Sequence, residues 1–191
     1  MAADPGDDPL VVGGGLRVTN CELEFGPEHF GPIRAEQALE GDEAEGAEVV
    51  DVVAGTLAEL GTEHAFVVHG AGKLDEISLA GPTMVAEVRR STVRKYHVMP
   101  EDFGKQATAL GALRGGNPLE NAELIQGMFA GAPDRAEDRA RHDIVVINAS
   151  AALVAAGIAD DFRAGAALAE EAIRGGAAAA KLQELRRFGQ D

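Results

Sequence analysis

Apolar residues recur at helical spacing from about position 47 onward, and regular structure is predicted to begin there. They lie three or four positions apart, as one buried face of an α-helix requires. The residues of this stripe are Val49, Val53, Leu57 and Leu60, and Val50 and Val52 widen it. Gly61 follows where a C-terminal cap glycine belongs, so the pattern predicts that the helix ends just before it.

Three strand-like runs follow this helix. Residues 64–69 hold Ala-Phe-Val-Val between two histidines, and a run that is apolar on both faces suits a strand buried between layers. The runs 84–88 and 93–98 are joined by a short polar turn, which predicts an antiparallel hairpin. A helix followed by a buried strand is half of an α/β unit, so the pattern favours that fold class.

Capping residues predict where the next helix begins. Asn117 is a good N-cap, Pro118 fits the first helical position, and Glu120 completes a capping box. The apolar face of this helix is predicted to be Leu124, Ile125, Met128 and Phe129, with Gly131 as its stop.

The remaining sequence predicts a buried helix and a terminal pair of helices. Residues 132–142 are predicted to form a charged loop, and residues 144–154 a helix that is apolar on all sides. Asn148 and Ser150 inside that helix must find hydrogen-bond partners. Asp161 is predicted to cap a helix over 162–174. After Gly175-Gly176 a last helix is predicted, with an apolar face of Leu182, Leu185 and Phe188.

The first 45 residues differ in character from the rest. Residues 1–9 are polar and rich in helix breakers, which is typical of disorder. Gly13-Gly14-Gly15 is either a turn between two short strands or, if a helix follows, a phosphate-binding loop. Residues 20–45 are predicted to be loop and linker, with a short helix over 35–39. We therefore divide the chain into an atypical leader, 1–45, and a domain, 46–191.

Composition and charge exclude several classes of function. Asp and Glu outnumber Lys and Arg by 32 to 17, and the net charge of −15 argues against a nucleic-acid-binding surface. A single cysteine, Cys21, excludes an internal disulfide framework. Neither a signal peptide nor a membrane-spanning run is apparent, so we expect a cytoplasmic protein without a membrane partner.

The candidate chemistry lies directly after the run 64–69. Asp75 and Glu76 are adjacent carboxylates, which can hold Mg²⁺ together with water and phosphate oxygens. In a regular strand they would point to opposite faces, so joint ligation requires a loop. Gly70 and Gly72 make such a loop accessible. Solvated surface carboxylates are the competing interpretation.

Two further candidates for function each have a purely structural interpretation as well. His69, at a strand terminus, could act in catalysis or simply cap a turn. Gly115-Gly116 before a helix N-terminus could hold an anion or simply form a turn and cap. No residue is singled out as a catalytic acid, base or nucleophile.

The order of several short motifs resembles anthranilate phosphoribosyltransferases, which belong to the nucleoside phosphorylase-like glycosyltransferase class. The resemblance covers roughly residues 46–189. Its motifs are Ala65-Phe66-Val67-Val68-His69-Gly70, Leu74-Asp75-Glu76-Ile77-Ser78, Gly81-Pro82-Thr83, Pro100-Glu101-Asp102-Phe103-Gly104, Leu113-Arg114-Gly115-Gly116-Asn117-Pro118, Glu120-Asn121-Ala122, Asn148-Ala149 and the segment 176–185.

The resemblance implies a fold, a reaction and a metal. The implied fold is a three-layer α/β domain with a mixed sheet flanked by helices. The implied reaction transfers phosphoribosyl from phosphoribosyl pyrophosphate to anthranilate in tryptophan biosynthesis. In this family the Asp-Glu pair binds the Mg²⁺ that accompanies phosphoribosyl pyrophosphate, which implies that role for Asp75 and Glu76.

Departures from the family lie in the first 45 residues. The family's N-terminal helical domain, its Gly-Thr-Gly-Gly-Asp phosphate loop and its Lys-His-Gly-Asn segment are not recognisable there. A chain inactive alone, a homodimer or a partner that supplies the missing half are therefore all open. The alternative functions are a non-catalytic remnant or binding module of this fold and a pyrimidine nucleoside phosphorylase-like enzyme.

Overall fold

The computed structural model describes residues 11–12, 16–17, 43–130 and 136–188. The strands in these ranges are β1 Val11–Val12, β2 Leu16–Arg17, β3 His64–Gly70, β4 Thr83–Arg89 and β5 Thr92–Val98. The helices are α1 Glu43–Glu59, α2 Pro118–Ala130, α3 Ala136–Ala155, α4 Phe162–Arg174 and α5 Ala177–Phe188. Short 3-10 turns occupy Pro100–Phe103 and Leu110–Leu113.

The central sheet has β4 in the middle, with β3 and β5 on either side of it. Every strand pairing in the described residues is antiparallel, so the expected mixed sheet is wrong for this part of the chain. A parallel pair needs a crossover connection, usually a helix, whereas the loop 71–82 returns the chain directly from β3 to β4. The predicted hairpin is confirmed as β4 and β5.

Alternating side chains of the sheet face two different helical layers. Ala65 and Val67 of β3 and Ala86 of β4 pack with α1 on one face. Phe66 and Val68 point the other way and join a core that includes residues of α3 and α4. In the described residues, helices therefore pack on both faces of the sheet, as the expected three-layer arrangement requires. Strand β3, which is apolar on both faces, has α1 against one face and the α3 and α4 core against the other.

Helix α1 is confirmed, but only part of the predicted buried stripe is right. The side chains that face the sheet are Val50, Ala54 and Ala58, of which Ala54 is fully buried, and Leu57 packs beside them. The other residues of the stripe are exposed: Val49 is 41% exposed, Val52 64%, Val53 37% and Leu60 51%. Small alanine side chains let the helix lie close to the sheet. A pattern of large apolar residues does not identify such alanines as part of the buried face.

The end of α1 follows the prediction from Gly61. Its φ of 76° lies in the left-handed region that glycine enters without strain. The amide of Gly61 donates to the Ala58 carbonyl, and that of Thr62 donates to the Leu57 carbonyl at 3.0 Å. These two bonds form a Schellman cap.

Helix α3 begins earlier than predicted, at Ala136 rather than near 143. The charged residues that suggested a loop lie on its first turns, where Arg141 pairs with Asp138 at 3.4 Å. Charged side chains tolerate the solvent side of a helix, so their clustering did not mark a loop. The helix is also not buried on all sides: Val146 and Ile147 are fully buried, whereas Val145 is 38% exposed.

The two terminal helices occur where predicted. The Asp161 carboxylate accepts from the amide of Ala164 at 2.7 Å and caps α4, and α5 follows the Gly175-Gly176 break. The predicted apolar face of α5 is exposed, with Leu185 at 63% and Phe188 at 67%.

The strands β1 and β2 pair on either side of residues 13–15, as the turn alternative predicted. The three glycines themselves, the predicted helix over 35–39 and the proposed stop at Gly131 lie outside the described residues. No helix in the described ranges is both long and apolar enough to cross a membrane.

Candidate functional site

The candidate site is the loop 71–82, which carries Asp75 and Glu76 between β3 and β4 and is called the acidic loop below. Its first turn is closed by reciprocal backbone bonds. The amide of Gly70 donates to the Leu74 carbonyl at 2.8 Å, and the amide of Leu74 donates back to the Gly70 carbonyl at 3.2 Å. Gly72 and Lys73 have positive φ values, 84° and 61°, within this tight reversal. The chain therefore leaves β3 and reaches Asp75 through a fixed turn.

The residues directly after the two carboxylates are buried. Ile77 is 3% exposed, Ser78 1% and Leu79 fully buried. The Ser78 amide donates to the Thr83 hydroxyl at 2.9 Å, and the Ser78 hydroxyl donates to the Ala71 carbonyl at the same distance. Ser78 therefore links Ala71, the first residue of the acidic loop, to Thr83, the first residue of β4.

Helix α3 supplies a further anchor. The Asn148 side-chain oxygen accepts from the Ile77 amide at 2.8 Å, and its nitrogen donates to the Ile77 carbonyl at 3.0 Å. That nitrogen also donates to the Ile144 carbonyl of the same helix, at 2.9 Å. The partner required for Asn148 is thus the backbone next to Glu76.

The acidic pair itself is exposed, in contrast to the residues that follow it. Partial burial raises the pKa of the Glu76 carboxyl above its ordinary value, and the adjacent charge of Asp75 raises it further. Two like charges held at neighbouring positions of a fixed loop repel each other. A cation bound between them would relieve that repulsion.

The donor set fits Mg²⁺ better than a resident structural metal. The described residues contain no group of three or more His, Cys, Asp or Glu side chains that could hold a metal ion. Asp75 and Glu76 alone would leave several coordination positions to water and substrate oxygens, as Mg²⁺ prefers. A metal at this pair would therefore have only two carboxylates of the described residues as candidate ligands.

A second loop lies beside the acidic loop. The Thr108 amide donates to the Leu79 carbonyl at 2.8 Å. At Gly72 the Leu110 side chain approaches so closely that a Cβ would lie 2.3 Å from its Cδ1. The segment 104–117 thus borders the candidate site and ends at the start of α2.

His69 lies on the α1 face of β3, and its ring packs on the first turns of α1. A Cβ on Gly46 would lie 2.5 Å from the imidazole Cε1. This close contact favours a structural role for His69 over a catalytic one, through packing on α1 rather than the predicted capping of a turn.

The start of α2 is capped by its own side chains. The Asn117 side-chain oxygen accepts from the amides of Leu119 and Glu120, and the Glu120 carboxylate accepts from the Asn117 amide at 2.8 Å. The Gly116 amide donates to the Asn121 side chain at 2.8 Å. Because these amides already have acceptors, the turn-and-cap interpretation fits better than an anion site.

Thr83 and Asn148 hold the site together, but the sequence alone indicates no such role for either. Thr83 belongs to one of the short motifs, and the sequence shows only that Asn148 is a polar residue that needs partners. Because an amide within an apolar helix must be paired, the sequence signalled that a contact exists. The identity of the partner required the tertiary structure.

Comparisons with known proteins agree with the resemblance in the sequence. A family model described as "Glycosyl transferase family, a/b domain" matches residues 32–179. Anthranilate phosphoribosyltransferase of Desulfatibacillum aliphaticivorans is 42% identical over 143 residues, covering 75% of this chain and 41% of that protein. The enzyme of Thermomicrobium roseum is 45% identical over 142 residues, covering 73% and 39%.

Solved structures show the same relationship. The crystal structure of anthranilate phosphoribosyltransferase from Thermus thermophilus matches with a TM-score of 0.65 and 33% identity, over 75% of this chain and 41% of that one. The Saccharomyces cerevisiae enzyme in complex with PRPP and Mg matches with a TM-score of 0.61, over 74% and 39%. At 22% identity that second likeness shows the fold alone. The chain spans about two fifths of the length of these relatives.

Proposed function

The chain belongs to the glycosyl transferase family whose α/β domain it matches over residues 32–179, and from this premise we propose that it contributes to an anthranilate phosphoribosyltransferase. The proposed reaction transfers the phosphoribosyl group from phosphoribosyl pyrophosphate to the amine of anthranilate and releases pyrophosphate, a step of tryptophan biosynthesis. The observation that carries the proposal is the exposed acidic pair on a loop fixed at both ends. A cytoplasmic location is part of the proposal.

Asp75 and Glu76 are the proposed Mg²⁺ ligands. One related yeast structure is a complex with PRPP and Mg, and another is a complex with 4-fluoroanthranilate, which supports the same substrate classes for this chain. When bound, the metal would neutralise charge that develops on the pyrophosphate leaving group. The chain's own part is to hold two carboxylates at the surface in a fixed orientation. No catalytic acid or base is assigned.

The proposal leaves the rest of the site to other residues. Phosphate-binding and anthranilate-binding groups are not identified among the described residues, and the curated relatives are more than twice as long as the matched region. For the described residues the proposal therefore covers the metal-binding part of the site alone. The alternatives remain a non-catalytic module of the same fold and a nucleoside phosphorylase-like enzyme.

The proposal is tested by isothermal titration of the purified chain with phosphoribosyl pyrophosphate in the presence of Mg²⁺. We expect heat of binding from the wild type and its loss in Asp75→Ala, because one metal ligand is removed. Glu123→Ala is the matched control, since Glu123 is an exposed carboxylate on α2. Equal heat from wild type and Asp75→Ala would contradict the assignment of the metal site.

A turnover assay separates the alternatives. Formation of phosphoribosylanthranilate by the chain alone would exclude a non-catalytic module. Phosphorolysis of pyrimidine nucleosides, without reaction of anthranilate, would favour the nucleoside phosphorylase-like enzyme instead.

A further inference from the structure

Asn148 is a polar residue on the otherwise apolar middle of α3, beside the fully buried Ile147. It lies 71 residues from Ile77 along the chain, yet its side chain bonds to both the amide and the carbonyl of Ile77. An amide side chain used in this way imitates a neighbouring strand, because it satisfies one donor and one acceptor of the same backbone residue. Asn148 thus recognises the backbone at this point of the acidic loop.

This contact lies directly beside the acidic pair. Ile77 directly follows Glu76, and its own side chain is 3% exposed, so this residue is held both by packing and by Asn148. On the other side of the pair, Leu74 is held by its reciprocal bonds to Gly70. Asp75 and Glu76 therefore form a two-residue exposed segment whose neighbours on both sides are fixed.

This geometry restricts where the two carboxylates can go. The bonds at Leu74 form within one turn of the chain, whereas the bonds at Ile77 tie the segment to a helix in the core. Like charges on a free loop would move apart, whereas this segment is held on one side at Leu74 and on the other at Ile77. Preorganised ligands bind a metal more tightly, because less ordering is needed on binding.

We propose that Asn148 is a positioning residue: by holding both backbone groups of Ile77, it fixes the orientation of the acidic pair and thereby sets the metal affinity of the site. The inference rests on the proposed function for its metal, while the ordering of the loop by Asn148 stands on the hydrogen bonds alone. Asn148 itself contacts no ligand and is not a catalytic residue.

The test compares Asn148→Leu with Ser150→Ala in the full chain. Ser150 is a matched control because it is another polar residue of α3 with a long-range contact, and its hydroxyl donates to the Phe162 carbonyl at 2.6 Å. Both variants lose a buried hydrogen bond and are expected to lower the thermal midpoint. Asn148→Ser is a second variant, smaller and still polar, in case the leucine chain does not fold.

The first readout is Mg²⁺ affinity, measured by calorimetric titration with phosphoribosyl pyrophosphate. We expect the Asn148 variants to bind about ten- to a hundred-fold more weakly, the range seen when residues that orient metal ligands are changed. Ser150→Ala should remain within about twofold of the wild type, because its contact lies between α3 and the start of α4. Equal losses in the Asn148 and Ser150 variants would overturn the positioning role.

The second readout is amide hydrogen exchange without metal. The amides of Leu74 and Ser78 keep their own acceptors in the Asn148 variants, so faster exchange there reports loss of order in the whole loop. Unchanged exchange at both amides would show that the loop does not depend on Asn148, and the inference would fail. A wild type that binds no metal would instead contradict the proposed function, and the exchange data would still decide whether Asn148 orders the loop.

Discussion

At the scale of the residue, the acidic pair combines binding chemistry with a cost to stability. Glu76 lies beside Asp75 and is partly buried, and both effects disfavour its ionised form. A carboxyl whose pKa is raised by folding adds stability below its unfolded pKa, and that contribution is lost as the pH rises through the folded pKa. At neutral pH the ionised Glu76 therefore weakens the fold.

This leads to a prediction for Glu76→Gln in the absence of metal. The neutral side chain removes the penalty, so we expect a melting temperature higher by about 1 °C at pH 7, a small shift because the residue is exposed to solvent. The advantage should shrink as the pH is lowered to about 4, which lies below the raised pKa of the Glu76 carboxyl. Thermal melts followed by circular dichroism at both pH values measure the effect.

Glu123→Gln is the control for this experiment, since it makes the same chemical change on an exposed face of α2. A Glu76→Gln variant that is less stable than the wild type at pH 7 would contradict the argument. The same variant should bind Mg²⁺ more weakly, so stability and binding are expected to move in opposite directions.

The pKa of Lys105 depends on two carboxylate partners that the sequence alone does not indicate. Burial alone would lower the pKa of its ammonium group, but hydrogen bonds to Asp143 and Glu170 and their charges more than offset this and raise the pKa. Its Nζ lies 2.9 Å from the Asp143 carboxylate and also contacts Glu170. The group thus joins the segment that borders the acidic loop to α3 and α4.

At the scale of the element, the β4–β5 hairpin has good strand register but unfavourable turn residues. Arg90 and Ser91 both have positive φ, 47° and 67°, the pattern of a type I′ turn. Such a turn suits the right-handed twist of the strands, but it favours Asn-Gly over residues with larger side chains. The strands on either side, rather than the turn, therefore specify this hairpin.

The double substitution Arg90→Asn with Ser91→Gly should stabilise the protein. A residue with a Cβ in the left-handed region costs about 1–2 kcal/mol; the double change relieves only part of that, because asparagine keeps its Cβ and glycine gives the unfolded chain more entropy. We expect chemical denaturation to show an increase of about 1 kcal/mol in the free energy of unfolding, with an unchanged m-value. The control is Arg90→Ala, which keeps the strain and should not stabilise; a gain from alanine would show that strain is not the cause.

At the scale of the whole molecule, charge opposes the association that the exposed surface favours. The outer edge of β3 has no strand partner among the described residues, and unpaired edges promote association. Helix α1 adds apolar exposure, with Val52 at 64%. The net charge of −15 works in the other direction by repulsion between copies.

We therefore predict that self-association of the purified chain rises with salt. Between about 0.02 and 0.5 M NaCl the Debye length falls several-fold, which weakens repulsion more than apolar contact. Light scattering after size exclusion should show a higher mean mass at high salt, and Val52→Lys should reduce that increase. A mass that is constant across this range would indicate that the edge and the α1 surface are not available for association.

Several elements could be predicted because their signals are local. The caps at Gly61, Asn117 and Asp161 each depend on residues within four positions, so the sequence was sufficient to place these helix ends. The hairpin followed from two runs of β-rich residues separated by a polar turn. The motif order also predicted the family, which the family model and the curated relatives confirm.

Other features could not be predicted because they depend on which surfaces meet. Periodicity places Val49 and Val53 on the buried face of α1, but both are exposed, whereas Ala54, which a pattern of large apolar residues omits, is fully buried. Charge density suggested a loop over 132–142, but the part of that segment from Ala136 onward is helical. The division of the chain at residue 45 and the metal-binding role of the acidic pair stay predictions.

The sequence by itself determined the β4–β5 hairpin, the helix caps at Gly61, Asn117 and Asp161 and the family, since those depend on neighbours along the chain and on motif order. The tertiary structure alone decided which face of α1 is buried and that the strands of the central sheet run antiparallel. It also placed Asn148 against Ile77, 71 residues away. The physical reason is that hydrogen bonds and packing between distant segments depend on how the elements approach one another in space. A pattern along the chain does not contain the distances between those elements.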